Sequence, residues 1–350
     1  MIYLSLFNGI SAGRLALSRA GIKFDKYYIA EIDKFANKVS EFHYPDNIQL
    51  GDVNNWREWD IDWSSVGLVT AGFPCQSWSL AGKQLGDKDE RGKLFWTTLE
   101  IMGHVLENNP DAKFMLENVK MKREFEEYIT LHTERALGYV NKTLINSSLL
   151  SAQNRQRYYW ANFEISQPAD KGILLKDIID DDSITDREKS YCIDANYSKG
   201  TNLNQYLNKS RRQIVFRPCE PRENIKQSKD GLIHVANASD IRGNEQIKRI
   251  YSDAGKAPTL STCQGGHREP KVSTGNLQYR KLTPTECARL QTFPDGWCEN
   301  IVSNSQSYKC YGNAWTVDVI AHIFKCAYRE SKHEAIRPTV NYEQSCSANI

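Results

Sequence analysis

A short apolar run that leads directly into a proline and a cysteine constrains the fold of this chain most. The run Val66–Ala71 predicts a buried strand of a parallel sheet, with glycines near its ends. Pro74 and Cys75 come straight after it, in the segment 72–79. Open α/β sheets bind their ligands outside the carboxyl ends of such strands. A single free cysteine is usually just a small buried hydrophobic residue, so the interpretation of Cys75 depends on the rest of the chain.

Length and composition predict one large α/β domain with a smaller one. The chain has 350 residues, of which 40% are hydrophobic and 25% charged, as in a globular protein with a sizeable core. No apolar run approaches the ~18 residues of a membrane span, and the N-terminus lacks a signal peptide's layout. The nine cysteines are scattered without a C-x-x-C pair, which favours a reducing cytoplasm over a disulfide framework or a metal site.

The net charge of +2 conceals an uneven distribution along the chain. Residues 187–281 carry 18 Lys and Arg against 9 Asp and Glu, while the remainder is acidic. A basic segment within an acidic protein is the pattern of a module that contacts nucleic acid. An ordinary charged surface exposed to solvent is the alternative.

The N-terminal segment has the layout of a nucleotide-binding unit. A strand over residues 2–7 is followed by a turn over residues 8–13 and a helix over residues 14–20. The turn has G-x-x-x-G spacing, not the G-x-G-x-x-G dinucleotide fingerprint. Glu31 ends a second strand, 22 residues after Gly9, where a carboxylate can bind ribose hydroxyls. Its alternative role is to place a negative charge at the start of the next helix.

Three further places offer polar groups at predicted strand ends. Asp52 lies at the tip of a third strand over residues 49–53, where its carboxylate can accept from an adenine amino group. Glu117 lies within the apolar strand 114–119, where a carboxylate is costly unless it is paired or neutral. Arg155 and Arg157 lead into the strand 158–161 and point to one face.

The remaining elements set the domain boundaries. A long polar loop over residues 76–92 precedes a helix over residues 93–108. Periodicity is lost over residues 183–278 and returns at Leu282. There, Thr283 caps a helix that runs to Gln291, with Pro284 at its first position and Glu286 completing a capping box. A last helix is predicted from Tyr311 to Tyr328. The predicted domains are residues 1–182, 183–278, 279–330 returning to the first domain, and a polar tail over 331–350.

These residues carry a resemblance to the DNA (cytosine-5-)methyltransferases that covers roughly residues 2–325. Eight motifs occur in that family's order: Phe7-Asn8-Gly9, Glu31, Asp52, Pro74-Cys75-Gln76, Glu117-Asn118-Val119, Gln153-x-Arg155-x-Arg157, the segment Leu282–Pro294, and Gly312-Asn313. The resemblance implies an α/β fold of the S-adenosylmethionine-dependent, Rossmann-like class. A mostly parallel sheet with helices on both faces is then accompanied by a smaller, irregular target-recognition domain over residues 183–278.

The resemblance also implies a mechanism in which Cys75 adds to C6 of cytosine as a thiolate. Glu117, kept neutral by its apolar strand, would donate to N3 of the base. Arg157 would hold the O2 edge, supported by Arg155. The cofactor would be S-adenosyl-L-methionine, with S-adenosyl-L-homocysteine as product and no metal. The implied cofactor-binding residues are Phe7, Asn8, Gly9, Ile10, Glu31, Ile32, Asp52, Val53, Pro74, Asn313, Ala314 and Trp315.

Double-stranded DNA is the implied partner, and the target base must leave the helix to reach the site. The implied DNA-binding residues are Gln76, Ser79, Lys83, Arg91, Thr259, Ser261, Thr262, Gln264, Gly265 and Gly266. We expect a monomer in the cytoplasm, associated with the nucleoid in a prokaryotic or viral setting, with a separate restriction endonuclease as a possible companion.

Two departures from the bacterial pattern affect the expected adenine contacts. The first turn, Gly9–Gly13, lacks the Gly-x-Gly of many bacterial members and is closer to the de novo eukaryotic branch. Trp315 is similar to a tryptophan of that branch that stacks near the cofactor adenine. Ile32 stands where bacterial members often have an aromatic residue.

Other interpretations remain open on the sequence. One branch of the family methylates a transfer RNA with the same Cys and Glu, although the long basic segment favours duplex DNA. A binding module that has lost catalysis is disfavoured, because Cys75, Glu117, Arg155 and Arg157 are all present. A nicotinamide dehydrogenase is disfavoured by the missing fingerprint, and methylation of an exocyclic amine by the absence of an Asp-Pro-Pro-Tyr type of motif.

Overall fold

The computed structural model describes residues 1–74, 90–199, 203–218, 228, 231–232, 234–237, 244–252, 256, 271–273 and 277–329. Within these ranges, no helix combines the length and the apolar character that crossing a membrane requires.

A seven-stranded sheet forms the centre of the molecule, in the order β3-β2-β1-β4-β5-β7-β6. Strands β1 to β5 pair in parallel, whereas β7 is antiparallel to both β5 and β6. The strands are β1 (Ile2–Leu6), β2 (Lys26–Ala30), β3 (Ile48–Gln49), β4 (Val66–Ala71), β5 (Lys113–Val119), β6 (Asn141–Asn146) and β7 (Gln156–Ala161).

Helices cover both faces of this sheet, as the sequence predicted. The α-helices of the described residues, including two within the segment 183–278, are α1 (Ala12–Ala20), α2 (Lys34–His43), α3 (Glu90–Asn108), α4 (Arg123–Leu137), α5 (Leu203–Lys209), α6 (Glu245–Lys248), α7 (Pro284–Leu290), α8 (Asn304–Asn313) and α9 (Val317–Ala327).

The alternation of side chains along the strands gives the sheet two apolar faces. On β1, Tyr3 belongs to one core cluster and Leu4 to the other. The first cluster packs the sheet against α1 and α9, and the second packs it against α3 and α4. Phe324 of α9 and Phe95 of α3 are fully buried. Burial of such a side chain contributes ~1.5–3 kcal/mol, so the two layers hold the sheet rigidly from both sides.

The sheet brings the predicted polar residues to one edge. The chain runs outward from β1 to β2 and β3 and then returns to β4 on the other side of β1. Ligands of open α/β sheets bind at such a reversal, outside the carboxyl ends of the strands. Because β7 is antiparallel to β5, the amino end of β7 lies at this same edge. Glu117 near the end of β5 and Arg157 at the start of β7 are therefore neighbours.

The capping signals predicted at the start of α7 are present in the structure. Thr283 accepts a hydrogen bond from the Glu286 amide at 3.1 Å, and the Glu286 carboxylate accepts from the Thr283 amide at 2.7 Å. Pro284 stands at the first position of α7, as predicted. The helix predicted from residue 93 begins three residues earlier, at Glu90, so the end of the predicted loop is helical.

The prediction of a strand over residues 49–53 was wrong at its end. β3 stops at Gln49, and Asp52 caps a short 3₁₀ helix, Val53–Glu58. The Asp52 carboxylate accepts from the Asn54 amide at 2.9 Å. Aspartate side chains compete in this way with strand pairing, which explains the difference.

The single C-terminal helix predicted from Tyr311 is in fact two helices. α8 ends at Asn313, and α9 begins at Val317. The chain is extended at Ala314, where the buried Arg155 guanidinium donates to the carbonyl at 2.9 Å. The break between the two helices therefore coincides with a tertiary contact, and Gly312 and Asn313 at the end of α8 are residue types typical of a helix end.

Part of the segment 183–278 packs onto the main domain. Two small sheets pair β8 (Ile214–Pro218) with β12 (Leu277–Lys281), and β10 (Arg249–Ser252) with β9 (His234–Asn237) and β11 (Lys271–Ser273). Ile193, Tyr197 and Val215 belong to the same core cluster as residues of α7 and α9. The domain boundary at residue 183 remains a prediction.

An ion-pair network joins this region to α7. Arg280 of β12 donates to the fully buried Glu286 at 2.7 Å and to Asp181 at 2.9 Å. Arg217 of β8 also pairs with Asp181. These hydrogen bonds lower the pKa of Asp181 far below its ordinary value, with the one from Arg280 as the largest contribution.

Replacing either of two glycines with alanine should change the stability of the fold, in opposite directions. A Cβ on Gly312 would overlap the backbone of Asp194, so Gly312→Ala should destabilise the fold by ~1–3 kcal/mol or more. A Cβ on Gly103, inside α3, would meet its nearest atom, a Leu137 methyl carbon, only at 3.9 Å. Gly103→Ala should therefore stabilise the fold by up to ~1 kcal/mol through helix propensity. Urea unfolding of both variants measures the two effects, and equal midpoints for Gly312→Ala and the parent would contradict the packing.

Candidate active site at the carboxyl edge of the sheet

A cavity of about 330 Å³ lies at the carboxyl edge of the sheet. Its walls include all the residues predicted to bind the cofactor except Asn8 and Trp315. Those lining it are Phe7, Gly9, Ile10, Glu31, Ile32, Asp52, Val53, Pro74, Asn313 and Ala314. Glu117, Arg155 and Arg157 also line this cavity, so the predicted cofactor and base-binding groups share one space. The individual roles of these residues remain predictions.

The turn after β1 has an unusual backbone. Phe7, Gly9 and Ser11 have φ angles of 55°, 58° and 64°, in the left-handed region that side chains disfavour. The Glu31 carboxylate stabilises the turn by accepting from the Gly9 amide at 2.8 Å. It also accepts from the amides of Ile32 and Asp33, at 2.9 and 2.8 Å. Glu31 thus ties the first turn to the end of β2 while facing the cavity.

The side chain of Asn8 lies behind this turn. It donates to the hydroxyl of Ser11 at 3.1 Å and to that of Ser40 at 3.3 Å. Asn47 donates to the same two hydroxyls, at 3.3 and 3.0 Å. This polar cluster supports the strained turn from α2, and a direct cofactor contact of Asn8 remains a prediction.

An ion pair at the cavity wall was missed by the sequence analysis. Lys309 of α8 donates to Asp33, the N-cap of α2, at 2.5 Å. Partial burial raises the pKa of Asp33, but the hydrogen bonds from Lys309 and the Phe35 amide outweigh it and lower the pKa. Lys309 lies three residues before Gly312, so predicting α8 would have placed both on one side of the helix without indicating Asp33 as the partner.

Glu117 is held by two donors, one on each carboxylate oxygen. Its side chain is buried, and the residue as a whole is only 8% exposed. Arg157 Nε lies 3.0 Å from Oε1, and Trp315 Nε1 donates to Oε2 at 2.9 Å. The pairing of β5 with β7 explains the first contact, because Arg157 is opposite Val119 and hence diagonal to Glu117. Within its apolar strand the carboxylate is thus paired, which is one of the two conditions that the sequence analysis allowed, and its role as a proton donor to N3 remains a prediction.

Arg155 is buried among backbone carbonyls. Its guanidinium donates to Ile193 O at 3.1 Å, Ala314 O at 2.9 Å and Gly312 O at 3.3 Å. Burial, together with repulsion from Arg157, lowers the pKa of Arg155. Arg155 therefore joins the start of β7 to the break between α8 and α9. Its support of Arg157 in base binding remains a prediction.

Cys192 lies beside the two arginines and was not singled out by the sequence. Its sulfur accepts from Arg155 at 3.3 Å. Burial raises the pKa of this thiol, but the guanidinium groups of Arg155 and Arg157 outweigh burial and lower it below its ordinary value. The cysteine falls in the segment assigned to DNA recognition, where no pattern related it to the arginines.

The segment leading to Cys75 is anchored up to its last described residue. Asn118 donates to the Phe73 carbonyl at 3.2 Å, and Pro74 lines the cavity. Pro74, the last described residue before the predicted nucleophile, therefore lies at the cavity wall. The following predicted site residues lie outside the described ranges: Cys75, Gln76, Ser79, Lys83, Thr259, Ser261, Thr262, Gln264, Gly265 and Gly266. Of Arg91, the structure describes only its place in α3.

Comparison with known proteins relates the whole chain to one protein family. The model of a family described as C-5 cytosine-specific DNA methylase matches residues 1–329. The type II methyltransferase M.HhaI of Haemophilus parahaemolyticus is 30% identical over 340 residues, which cover 92% of each chain. The orphan methyltransferase M.SPBetaI of Bacillus phage SPbeta is 26% identical, over 92% of this chain and 96% of the phage protein.

Solved structures show the same fold. The Entamoeba histolytica methyltransferase EhMeth superposes with a TM-score of 0.58 at 15% identity, covering 94% of this chain and 98% of its own. The match of the family model over nearly the whole chain, together with M.HhaI, decides the family. The chain belongs to the C-5 cytosine-specific DNA methylases and is a DNA (cytosine-5-)methyltransferase.

Proposed function

We propose that this enzyme transfers the methyl group of S-adenosyl-L-methionine to C5 of a cytosine flipped out of duplex DNA, through a covalent bond to Cys75. The observation that carries the proposal is one cavity that combines Glu31 and Asp52 with Glu117 and Arg157. The first two suit a nucleoside cofactor and the last two suit a pyrimidine base.

The residues present fit the cofactor. A cavity of about 330 Å³ is in the size range of small-molecule sites. Glu31 can accept from ribose hydroxyls, and Asp52 from an adenine amino group. The amino end of α1 follows the first turn and favours a negatively charged group such as the cofactor carboxylate. When bound, S-adenosyl-L-methionine supplies a methyl group activated by its sulfonium.

Cys75 would make C5 of cytosine nucleophilic. The thiolate forms a bond to C6, and the electrons of the C5–C6 double bond become available at C5, which takes the methyl group. Loss of the C5 proton then expels the thiolate and restores the double bond. A free thiol has a pKa of ~8.5, so positive charge nearby is needed to activate it. The anchored approach through Phe73 and Pro74 supports a nucleophile at the cavity.

Glu117 and Arg157 would recognise the Watson–Crick edge of the base. Attack at C6 increases electron density on N3, which then needs a proton or a strong hydrogen bond. Glu117 would carry a proton on one oxygen and donate it to N3, and its other oxygen would accept from the exocyclic amine, while Arg157 can donate to O2. The hydrogen bonds to each oxygen of Glu117 hold the carboxylate in place before the base arrives.

DNA contacts would come from the basic segment and from the loop after Cys75. Residues 187–281 carry twice as many basic as acidic residues, as phosphate contacts require. Gln76 and Ser79 would fill the space that the flipped base leaves, with Lys83 and Arg91 on the backbone. Residues Thr259–Gly266 would read base edges. We also propose that the enzyme acts as a monomer in the cytoplasm, with a restriction endonuclease as a possible companion.

Mapping the methylated position tests this function. Purified enzyme with S-adenosyl-L-methionine should convert cytosines to 5-methylcytosine in one sequence context of duplex DNA, as bisulfite-type sequencing detects. Transfer RNA offered in parallel should receive no methyl groups. Methylation of the RNA alone would replace DNA as the substrate, and a methyl group on the exocyclic amine would refute the chemistry.

Removal of the two cavity carboxylates tests the cofactor site. Glu31→Ala and Asp52→Ala should each weaken S-adenosyl-L-methionine binding by about tenfold or more, since hydrogen bonds to charged groups contribute ~1.5–3 kcal/mol. DNA affinity should change little. Glu41→Ala, an exposed glutamate of α2, is the matched control. Calorimetric titration measures the affinities, and parental cofactor affinity in both variants would refute the assignment.

A further inference from the structure

We infer that Trp315 is a positioning residue for the catalytic carboxylate of Glu117, acting through its indole N–H. The inference rests on the proposed role of Glu117. It gives Trp315 a function other than the expected stacking near the adenine.

The two donors to Glu117 come from different parts of the chain. Arg157 lies at the start of β7, 3.0 Å from Oε1, and Trp315 lies between α8 and α9, 2.9 Å from Oε2. Arg157 alone would leave the carboxylate free to rotate about its last bond. The second hydrogen bond, on the other oxygen, removes that freedom and fixes the plane of the carboxylate. A fixed plane is what simultaneous contact with N3 and the exocyclic amine of cytosine requires.

The indole can approach Glu117 only because β4 is followed by a glycine. A Cβ on Gly72 would lie 2.8 Å from Trp315 Nε1 and 3.1 Å from Glu117 Oε2. The first distance is too short for a Cβ contact and the second is tight, so a side chain at position 72 would displace the indole from Glu117. A Cβ on Gly13 of α1 would lie 3.4 Å from the indole ring. Trp315 is therefore packed between the end of β4 and α1, directly behind Glu117.

The backbone beside Trp315 is fixed as well. The hydroxyl of Thr316 donates to Gln291 at 2.8 Å and is hydrogen-bonded to Ser147 at 2.9 Å. The carbonyl of Ala314 accepts from Arg155 at 2.9 Å. The residues on each side of Trp315 are thus held by buried partners. A donor on such a rigid support orients its acceptor, as preorganised sites require.

Removal of the N–H alone tests the inference. Trp315→Phe keeps an aromatic ring but removes the donor to Glu117. We expect the single-turnover rate of methyl transfer to fall by about 10- to 100-fold, the typical loss for a hydrogen bond to a charged group. The affinities for S-adenosyl-L-methionine and DNA should stay within about twofold. Trp56→Phe is the matched control, because the indole N–H of the buried Trp56 has no hydrogen-bond partner among the described residues.

A double-mutant cycle shows whether Trp315 acts through Glu117. Glu117→Ala should lower the rate by about two to four orders of magnitude, as expected for a lost proton donor. Adding Trp315→Phe to that variant should change the rate by less than about twofold, because the acceptor is already gone. Gly72→Ala provides a second route, since it separates the two side chains while keeping both. Its rate should fall as that of Trp315→Phe does.

The outcomes separate the inference from the proposed function. A parental rate in Trp315→Phe, or a loss explained entirely by weaker cofactor binding, would overturn the inference and favour a cofactor contact. The full independent effect of Trp315→Phe in the Glu117→Ala background would also overturn it. A parental rate in Glu117→Ala would refute the proposed role of Glu117 itself. If Trp315→Phe does not fold, the single-turnover rate of Gly72→Ala tests the inference instead. A rate equal to that of the parent enzyme would overturn it.

Discussion

The antiparallel pairing of β7 with β5 is the constraint on which the site depends. In an all-parallel sheet, the start of the last strand would lie at the opposite edge. Because β7 runs the other way, Arg157 reaches the carboxyl edge and sits diagonal to Glu117 across the pairing. The carboxylate and the guanidinium then lie 3.0 Å apart, beside the cavity formed by the ends of the parallel strands. One local reversal of direction thus brings Glu117 and Arg157 to the cavity at the carboxyl edge.

Two charged groups at the same edge are held by several hydrogen bonds each. Arg155 is 4% exposed and is surrounded by backbone carbonyls that end α8. Glu31 accepts three backbone amides from two turns. A buried charge such as that of Arg155 is costly unless hydrogen bonds compensate it. Such bonding also makes the cavity rigid, which suits a reaction that depends on placing a methyl donor next to one carbon atom.

Much of this arrangement follows from local sequence signals, and part of it does not. The capping box of α7 and the strand Val66–Ala71 could be predicted because adjacent residues determine them. The carboxylate in the apolar strand β5 identified Glu117, since a charge there needs a reason. The contact between Trp315 and Glu117 could not be predicted, because it joins residues 198 positions apart. The contact of Arg155 with the break after α8 likewise joins distant residues, and the sequence did not predict it.

Trapping the covalent intermediate tests the central claim most directly. A duplex with 5-fluorocytosine at the target cannot lose a proton from C5, so the enzyme should transfer the methyl group and remain bonded to the DNA. The account predicts an adduct that survives denaturing electrophoresis, requires S-adenosyl-L-methionine and maps by mass spectrometry to the peptide containing Cys75. Cys75→Ser should form no adduct, because a hydroxyl is far less ionised than a thiol. An adduct at another cysteine, or methyl transfer by Cys75→Ala at the parental rate, would contradict it.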